Sequence, residues 1–208
     1  MKIKIIDNFL EKKDINTLSN LKLKVCEEDK MNVYHNSIRE REVLNIECIN
    51  KGLLISLNSN YHKKALSILG ELCPEKVHLY DFSEFHIIEI GKNFKFPIHE
   101  DTPNKLLSGV IYLKPLKNIG TNFFSSKTGD EKKTVDWKIN RGVFFSRKEK
   151  KTWHSFEGDG KSNRVALVYN LMTNNIKEVY KIEGKNYLFG MMRYKLNPYL
   201  YRFFKFTI

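Results

Sequence analysis

In Phe96-Pro97-Ile98-His99-Glu100-Asp101-Thr102-Pro103-Asn104, one residue separates an imidazole from a carboxylate. Side chains on an extended strand alternate between faces, so His99 and Asp101 share a face. Thr102-Pro103 then turns the chain, which leaves the pair near a strand end. A second histidine, His154, comes well downstream, after the strand-like run Gly142–Arg147. Two imidazoles and one carboxylate are the donor set that holds a non-haem ferrous ion on one side and leaves three positions open. Further on, Arg164 opens the apolar run Val165-Ala166-Leu167-Val168-Tyr169. Its planar fork donates two parallel hydrogen bonds and suits the end of a dicarboxylate. A guanidinium at the head of such a strand is costly to bury without a partner of that kind. A His-x-Asp arises readily by chance and a lone histidine is usually structural; the weight lies in the order His-x-Asp, strand, His, Arg.

The elements that must position these groups are legible in outline. Lys2–Asp7 alternates isoleucine with lysine and reads as a short strand. A helix is expected after it, capped by Asn8 with Glu11 three positions on, and carrying Leu10, Ile15, Leu18, Leu21 and Val25. Residues 31–50 are charge-rich and irregular. A second helix follows, with Leu54, Leu57, Tyr61, Ala65, Ile68 and Leu72 on one stripe and Gly70 and Pro74 at its end. From Lys76 the pattern turns to strands: Val77 and Leu79, Phe85–Ile90 ending at Gly91, Leu106–Lys114, Thr121–Ser125, Thr134–Ile139, Gly142–Arg147 and Arg164–Met172. Helices followed by six or more short strands imply an α+β domain with an antiparallel sandwich or barrel. The tail, residues 176–208, is aromatic and basic. It reads as a closing helix pair or an interface, with core packing or edge coverage favoured over a membrane-surface or partner role.

A length of 208 residues suits one domain, and 41% hydrophobic with 29% charged residues is the balance of an ordinary globular chain. No apolar run is long enough for a membrane-spanning helix. The charged N-terminus lacks a secretory hydrophobic region, so a cytoplasmic location is expected. Cys26, Cys48 and Cys73 are scattered without a C-x-x-C pair, against a disulfide framework or thiolate zinc site. The net charge of +12 is mostly dispersed lysine, read first as a solvated surface. Lys105, Lys127 and the cluster Arg147-Lys148-Glu149-Lys150-Lys151 flank the expected mouth, where they would attract an anionic substrate if they are not simply solvated.

The stretch from about Phe85 to Met172, with Ile5-Ile6-Asp7-Asn8-Phe9-Leu10, resembles the 2-oxoglutarate/Fe(II) dioxygenases of the prolyl-hydroxylase-like branch. The matching features are a glycine turn (Gly91) before His-x-Asp, a strand ending in Tyr112-Leu113, the step Gly120-Thr121, the distal His154 and then Arg164. The resemblance implies a double-stranded β-helix, a jelly-roll or cupin-like barrel with supporting N-terminal helices. One domain over residues 1–208 would have its barrel core at about 76–173, N-terminal support at 1–75 and the tail at 176–208. It further implies Fe(II) on His99, Asp101 and His154, with 2-oxoglutarate and O2 as cosubstrates. Arg164 would grip the distal carboxylate and the Tyr112 hydroxyl would add a second hydrogen bond. Hydroxylation of a small molecule, a sugar-type metabolite or a protein is the implied outcome, with succinate and CO2 released. Retention of Asp101 disfavours the halogenating variant. Glu89 and Ala166 depart from the branch, which often has tyrosine at the first position and Ser or Thr at the second. A non-catalytic 2-oxoglutarate-binding protein is the alternative. Nucleic-acid demethylation is disfavoured because no second arginine follows Arg164 on its strand. The sequence does not give the oligomeric state.

Overall fold

The computed structural model describes residues 2–204. Strand β1 (Lys4–Ile6) leads into helix α1 (Lys12–Ser19), which begins later than the sequence suggests. Asn8 adopts a left-handed backbone (φ 54) and turns the chain instead of capping. The buried Asn140 side chain pins this turn, donating to the Leu10 carbonyl and accepting from its N–H. Only Ile15 and Leu18 of the proposed stripe are buried on the helix itself; Val25 lies beyond it and is exposed.

Strands β2 (Met31–Tyr34), β3 (Ser37–Arg39) and β4 (Glu42–Asn45) occupy the stretch that periodicity leaves unassigned. Helix α2 (Lys51–Leu72) starts at Asn50, whose side chain accepts from the Leu53 N–H at 2.9 Å. It buries Leu54, Leu57, Tyr61, Ala65 and Ile68, as their three- and four-residue spacing requires. Pro74 then opens a 3-10 turn, Pro74–Leu79, where a strand through Val77 and Leu79 is expected from sequence. Proline fixes the first helical torsion and lacks an N–H, so it favours this start over a strand.

The remaining strands are β5 (Phe82–Ile90), β6 (Lys95–His99), β7 (Lys105–Lys114), β8 (Thr121–Phe124), β9 (Lys133–Val135), β10 (Gly142–Phe145), β11 (Trp153–Glu157) and β12 (Arg164–Met172). The chain closes with helices α3 (Ile176–Ile182) and α4 (Tyr187–Phe204), the anticipated helix pair; residues 205–208 of the tail lie outside the described residues. The strands form two antiparallel sheets. The larger runs β1-β10-β7-β12-β5-β3-β4, with β2 also on β5, and the smaller runs β6-β11-β8-β9.

Period-two alternation gives the large sheet two different faces. Phe85, Ile87, Ile111, Leu113, Leu167, Tyr169 and Leu171 join the residues of α2 and α1 in one apolar core. The opposite face turns toward the small sheet, and the register aligns its side chains in rows. Ser108, Asn170 and Glu84 form one row, Val110, Val168 and His86 the next, then Tyr112, Ala166 and Ile88, and last Arg164 with Ile90. At about 3.3 Å per residue, the Arg164 and Asn170 rows lie ~20 Å apart.

Candidate metal centre

His99 ends β6 and His154 lies directly opposite it on the paired strand β11. Their ring centroids are 4.1 Å apart. Asp101 follows the end of β6, with His154 Nε2 at 3.9 Å from its Oδ2. One ligand atom from each of the three residues lies within 4.8 Å of the others, so the structure brings the predicted donors together.

The hydrogen bonds orient each donor. His99 Nδ1 donates to the Pro97 carbonyl and His154 Nδ1 to the Thr152 carbonyl, both at 3.0 Å. A carbonyl only accepts, so each Nδ1 carries the proton and each Nε2 keeps its lone pair for a metal. Burial lowers the basicity of both rings, and the neighbouring His154 helps bring His99 down to about 3. Both are therefore neutral and able to ligate at ordinary pH. Burial works to raise the Asp101 carboxyl, but Lys105 and the two histidines outweigh it and hold it well below its ordinary range. Its oxygens accept from Lys105 Nζ at 2.7 Å and from Ser108 Oγ at 2.6 Å. A carboxylate has lone pairs for a metal besides these two bonds. Two neutral imidazoles presenting Nε2 and one ionised carboxylate fit Fe(II).

A cavity of about 180 Å³ runs from this cluster into the space between the sheets, past Val110, Ile88, Ala166 and Phe156 to Arg164. Arg164 is 4% exposed and rests on backbone oxygens, with Nη1 donating to Ile119 at 2.6 Å and more weakly to Gly120 and Glu157. Its guanidinium carbon lies 5.2 Å from the Trp137 ring centre and 5.4 Å from that of Phe156. Burial draws the group down to about 10, and no carboxylate pairs with it among the described residues. Gly120 makes this cradle possible. A Cβ there would lie 1.7 Å from the Val135 carbonyl oxygen.

Tyr112 is placed differently from the other predicted residues. It is fully buried, stacks on Trp137 and does not line the cavity. Its hydroxyl donates to Thr121 Oγ1 at 2.9 Å, and it is Thr121 that faces the cavity. Ala166 lines the wall, whereas Glu89 sits on the alternate face from the lining residues Ile88 and Ile90.

A second cavity of about 600 Å³ lies on the other side of His99 and Asp101, walled by Trp153, Tyr180 of α3 and Gly190 and Tyr194 of α4. Lys105 lines the smaller cavity and Lys127 the larger one. Local sequence pattern does not reveal the buried charges beneath this wall. Glu183, its side chain 2% exposed, accepts from Lys76 at 2.7 Å and from Arg147 at 2.5 Å. Arg147 also donates through Nε to the Asp101 carbonyl at 3.2 Å, bracing the loop that carries Asp101. Glu149 is buried too and pairs with Arg193 of α4. The run read as solvated lysines therefore alternates: Lys148 and Lys150 are exposed, Arg147 and Glu149 are not. Also unforeseen was the polar row Ser108–Asn170–Glu84. Asn170 Nδ2 donates to Glu84, while Asn170 Oδ1 and His86 Nδ1 are buried without a partner.

No family model matches the chain, and neither does any curated protein. Solved structures do match. A prolyl-4-hydroxylase from Pseudomonas putida superposes with a TM-score of 0.56 at 13% identity, over 83% of this chain and 93% of that one. A 2OG-Fe(II) oxygenase family oxidoreductase from Burkholderia pseudomallei gives 0.57 at 15% identity, over 83% and 85%. A prolyl hydroxylase from Trichoplax adhaerens, in complex with a hypoxia inducible factor peptide fragment, gives 0.55 at 13%, over 85% and 86%. The fold, helices packed on antiparallel sheets, is thus the one found in 2-oxoglutarate/Fe(II) oxygenases of the prolyl-hydroxylase kind.

Proposed function

We propose that this chain is an Fe(II)- and 2-oxoglutarate-dependent dioxygenase, built on a double-stranded β-helix, that hydroxylates a C–H bond and releases succinate and CO2. One observation carries it: a single cavity is lined by two imidazoles and a carboxylate that lie together and, farther along, by a buried guanidinium that pairs with no carboxylate among the described residues. His99, Asp101 and His154 would hold Fe(II), which supplies the coupling of O2 activation to oxidative decarboxylation of 2-oxoglutarate. Arg164 holds the distal carboxylate of the cosubstrate, and the Thr121 hydroxyl, itself oriented by Tyr112, is the nearer polar group on that wall. The apolar lining of Val110, Ile88 and Phe156 keeps water from the space between. The substrate enters through the larger cavity beside His99, and the peptide-bound hydroxylase among the similar structures supports an extended or protein substrate over a very small one.

The test is succinate formation. Anaerobically purified protein receives Fe(II), ascorbate, 2-oxoglutarate and oxygen, in wild type and His99→Ala. Succinate that depends on both iron and His99 is expected. The same samples without oxygen should show a visible charge-transfer band from bidentate chelation at the open positions. Absence of both signals in the wild type would overturn the assignment.

A further inference from the structure

Helix α4 has two unlike faces. Gly190 and Tyr194 turn inward to the larger cavity, and Arg193 is fixed by Glu149. A Cβ on Gly190 would lie 2.3 Å from the Tyr180 ring, so the helix is seated closely on α3. Outward point Leu188, Phe189, Met192, Leu196, Tyr199 and Phe203, with exposures of 75, 68, 47, 42, 64 and 67%. At about 100° per residue, all six fall within an arc of roughly 100°. Lys195 and Arg202, both exposed, follow one border of that arc. No Asp or Glu occurs anywhere after Glu183.

We infer that α4 is an interfacial helix that docks this protein on an anionic lipid surface. An apolar stripe of aliphatic and aromatic side chains, bordered by lysine and arginine and free of acid, matches the boundary between acyl chains and anionic headgroups. Each cation near such a surface adds attraction, and the net charge of +12 adds to it at long range. No helix among the described residues is long and apolar enough to cross a membrane, so the helix lies along the surface. A second copy of the chain fits less well. A two-fold contact through this stripe would bring like-charged borders together with no acid to offset them. Because the inner face of the same helix walls the larger cavity, docking sets that cavity beside the lipid surface. The inference does not depend on the reaction proposed above.

Co-sedimentation of the full chain with vesicles tests it: phosphatidylcholine alone, or mixed with phosphatidylglycerol, at about 0.1 M and about 1 M salt, where the screening length falls from ~10 to ~3 Å. The wild type should pellet with the anionic vesicles at low salt and be released at high salt. Lys195→Glu/Arg202→Glu and Phe189→Ser/Leu196→Ser should each weaken binding at least about tenfold. These positions are exposed, and unchanged melting of each variant establishes that it is folded. Should either fail to fold, Leu188→Trp in the otherwise native chain reports directly, its emission shifting to the blue on anionic vesicles only. No pelleting at low salt, equal pelleting with neutral vesicles, or a dimer that the Ser variant converts to monomer would each overturn the inference.

Discussion

Arg164→Met separates the cost of a buried charge from its use. Burial brings the guanidinium from its ordinary 12.5 to about 10. At ~1.4 kcal/mol per tenfold, holding the charge there costs roughly 3 kcal/mol. Methionine removes that cost and fills much of the volume between Trp137 and Phe156. It forfeits the bonds to Ile119, Gly120 and Glu157, of which only the 2.6 Å contact with Ile119 is strong, a loss of about 1–3 kcal/mol. The two terms nearly cancel, so the ligand-free variant should melt within a few degrees of the wild type. The response to ligand should differ sharply. A cosubstrate at about 100 times its Kd stabilises the folded state by ~2.7 kcal/mol, or roughly 5–10 °C for a chain of this size. Losing a bidentate ion pair weakens binding by about 100- to 1000-fold and abolishes that shift. The assay is a thermal melt with Mn(II), an oxygen-stable substitute for Fe(II), with and without 2-oxoglutarate. If Arg164→Met unfolds the free protein, or if 2-oxoglutarate still raises its melting temperature, Arg164 is a structural cation and the reasoning fails.

Glu183→Leu leaves Lys76 and Arg147 buried without their shared acid, and should cost about 3–5 kcal/mol; differential scanning calorimetry would register a fall of roughly 10 °C or more, and a change of a degree or two would refute it. Gly190→Ala sets a methyl against the Tyr180 ring and should destabilise the fold by about 1–3 kcal/mol. Pairing it with Tyr180→Leu should recover most of that loss in denaturant unfolding, and a failure to recover would place the strain elsewhere. The metal-free protein should lose stability in acid. His99 takes up a proton at 6.5 when unfolded but only at about 3 when folded, so its contribution is whole above 6.5 and declines steadily as pH falls toward 3. A stability profile flat from about pH 7 to 4, measured by urea unfolding at each pH, would contradict this.

Part of this molecule is written in local pattern and part is not. Strand β12 begins and ends where its apolar run does, Arg164 to Met172, because a central strand with two hydrogen-bonded neighbours has little freedom of composition. The stripe of α2 is legible because one face meets core and the other meets water. The His-x-Asp…His…Arg order is legible because metal and carboxylate chemistry restricts the residue types. Strands β2 to β4 escape notice because they are short and carry few buried side chains; in β4 every residue but Val43 is exposed. Val77 and Leu79 look like a strand because a few alternating apolar residues fit a 3-10 turn equally well. Strand β11 escapes notice for a different reason: it follows a run of charges that reads as solvent-facing loop.

That run is the least legible in local pattern, since burial of Arg147 and Glu149 is decided by groups far away in the chain. A buried ion pair adds little net stability compared with well-packed apolar side chains, because the desolvation of each charge offsets the attraction between them. Stability alone would thus not favour Lys76, Arg147 and Glu183 here. What the three provide is direction. They join the 3-10 turn, the segment leading to His154 and the end of α3 at one point, and Arg147 extends from that point to the Asp101 carbonyl. Apolar contacts tolerate sliding by fractions of an ångström, whereas hydrogen-bonded charges do not. The loop after β6, which sets Asp101 beside His99 and His154 of the paired strands β6 and β11, has the second kind of support. The same hub carries the helix pair through Glu183, and Glu149 holds α4 by Arg193. The wall of the larger cavity and the loop that carries Asp101 are therefore tied into one buried hydrogen-bonded network, running from Arg193 through Glu149 and Glu183 to Arg147 and the Asp101 carbonyl.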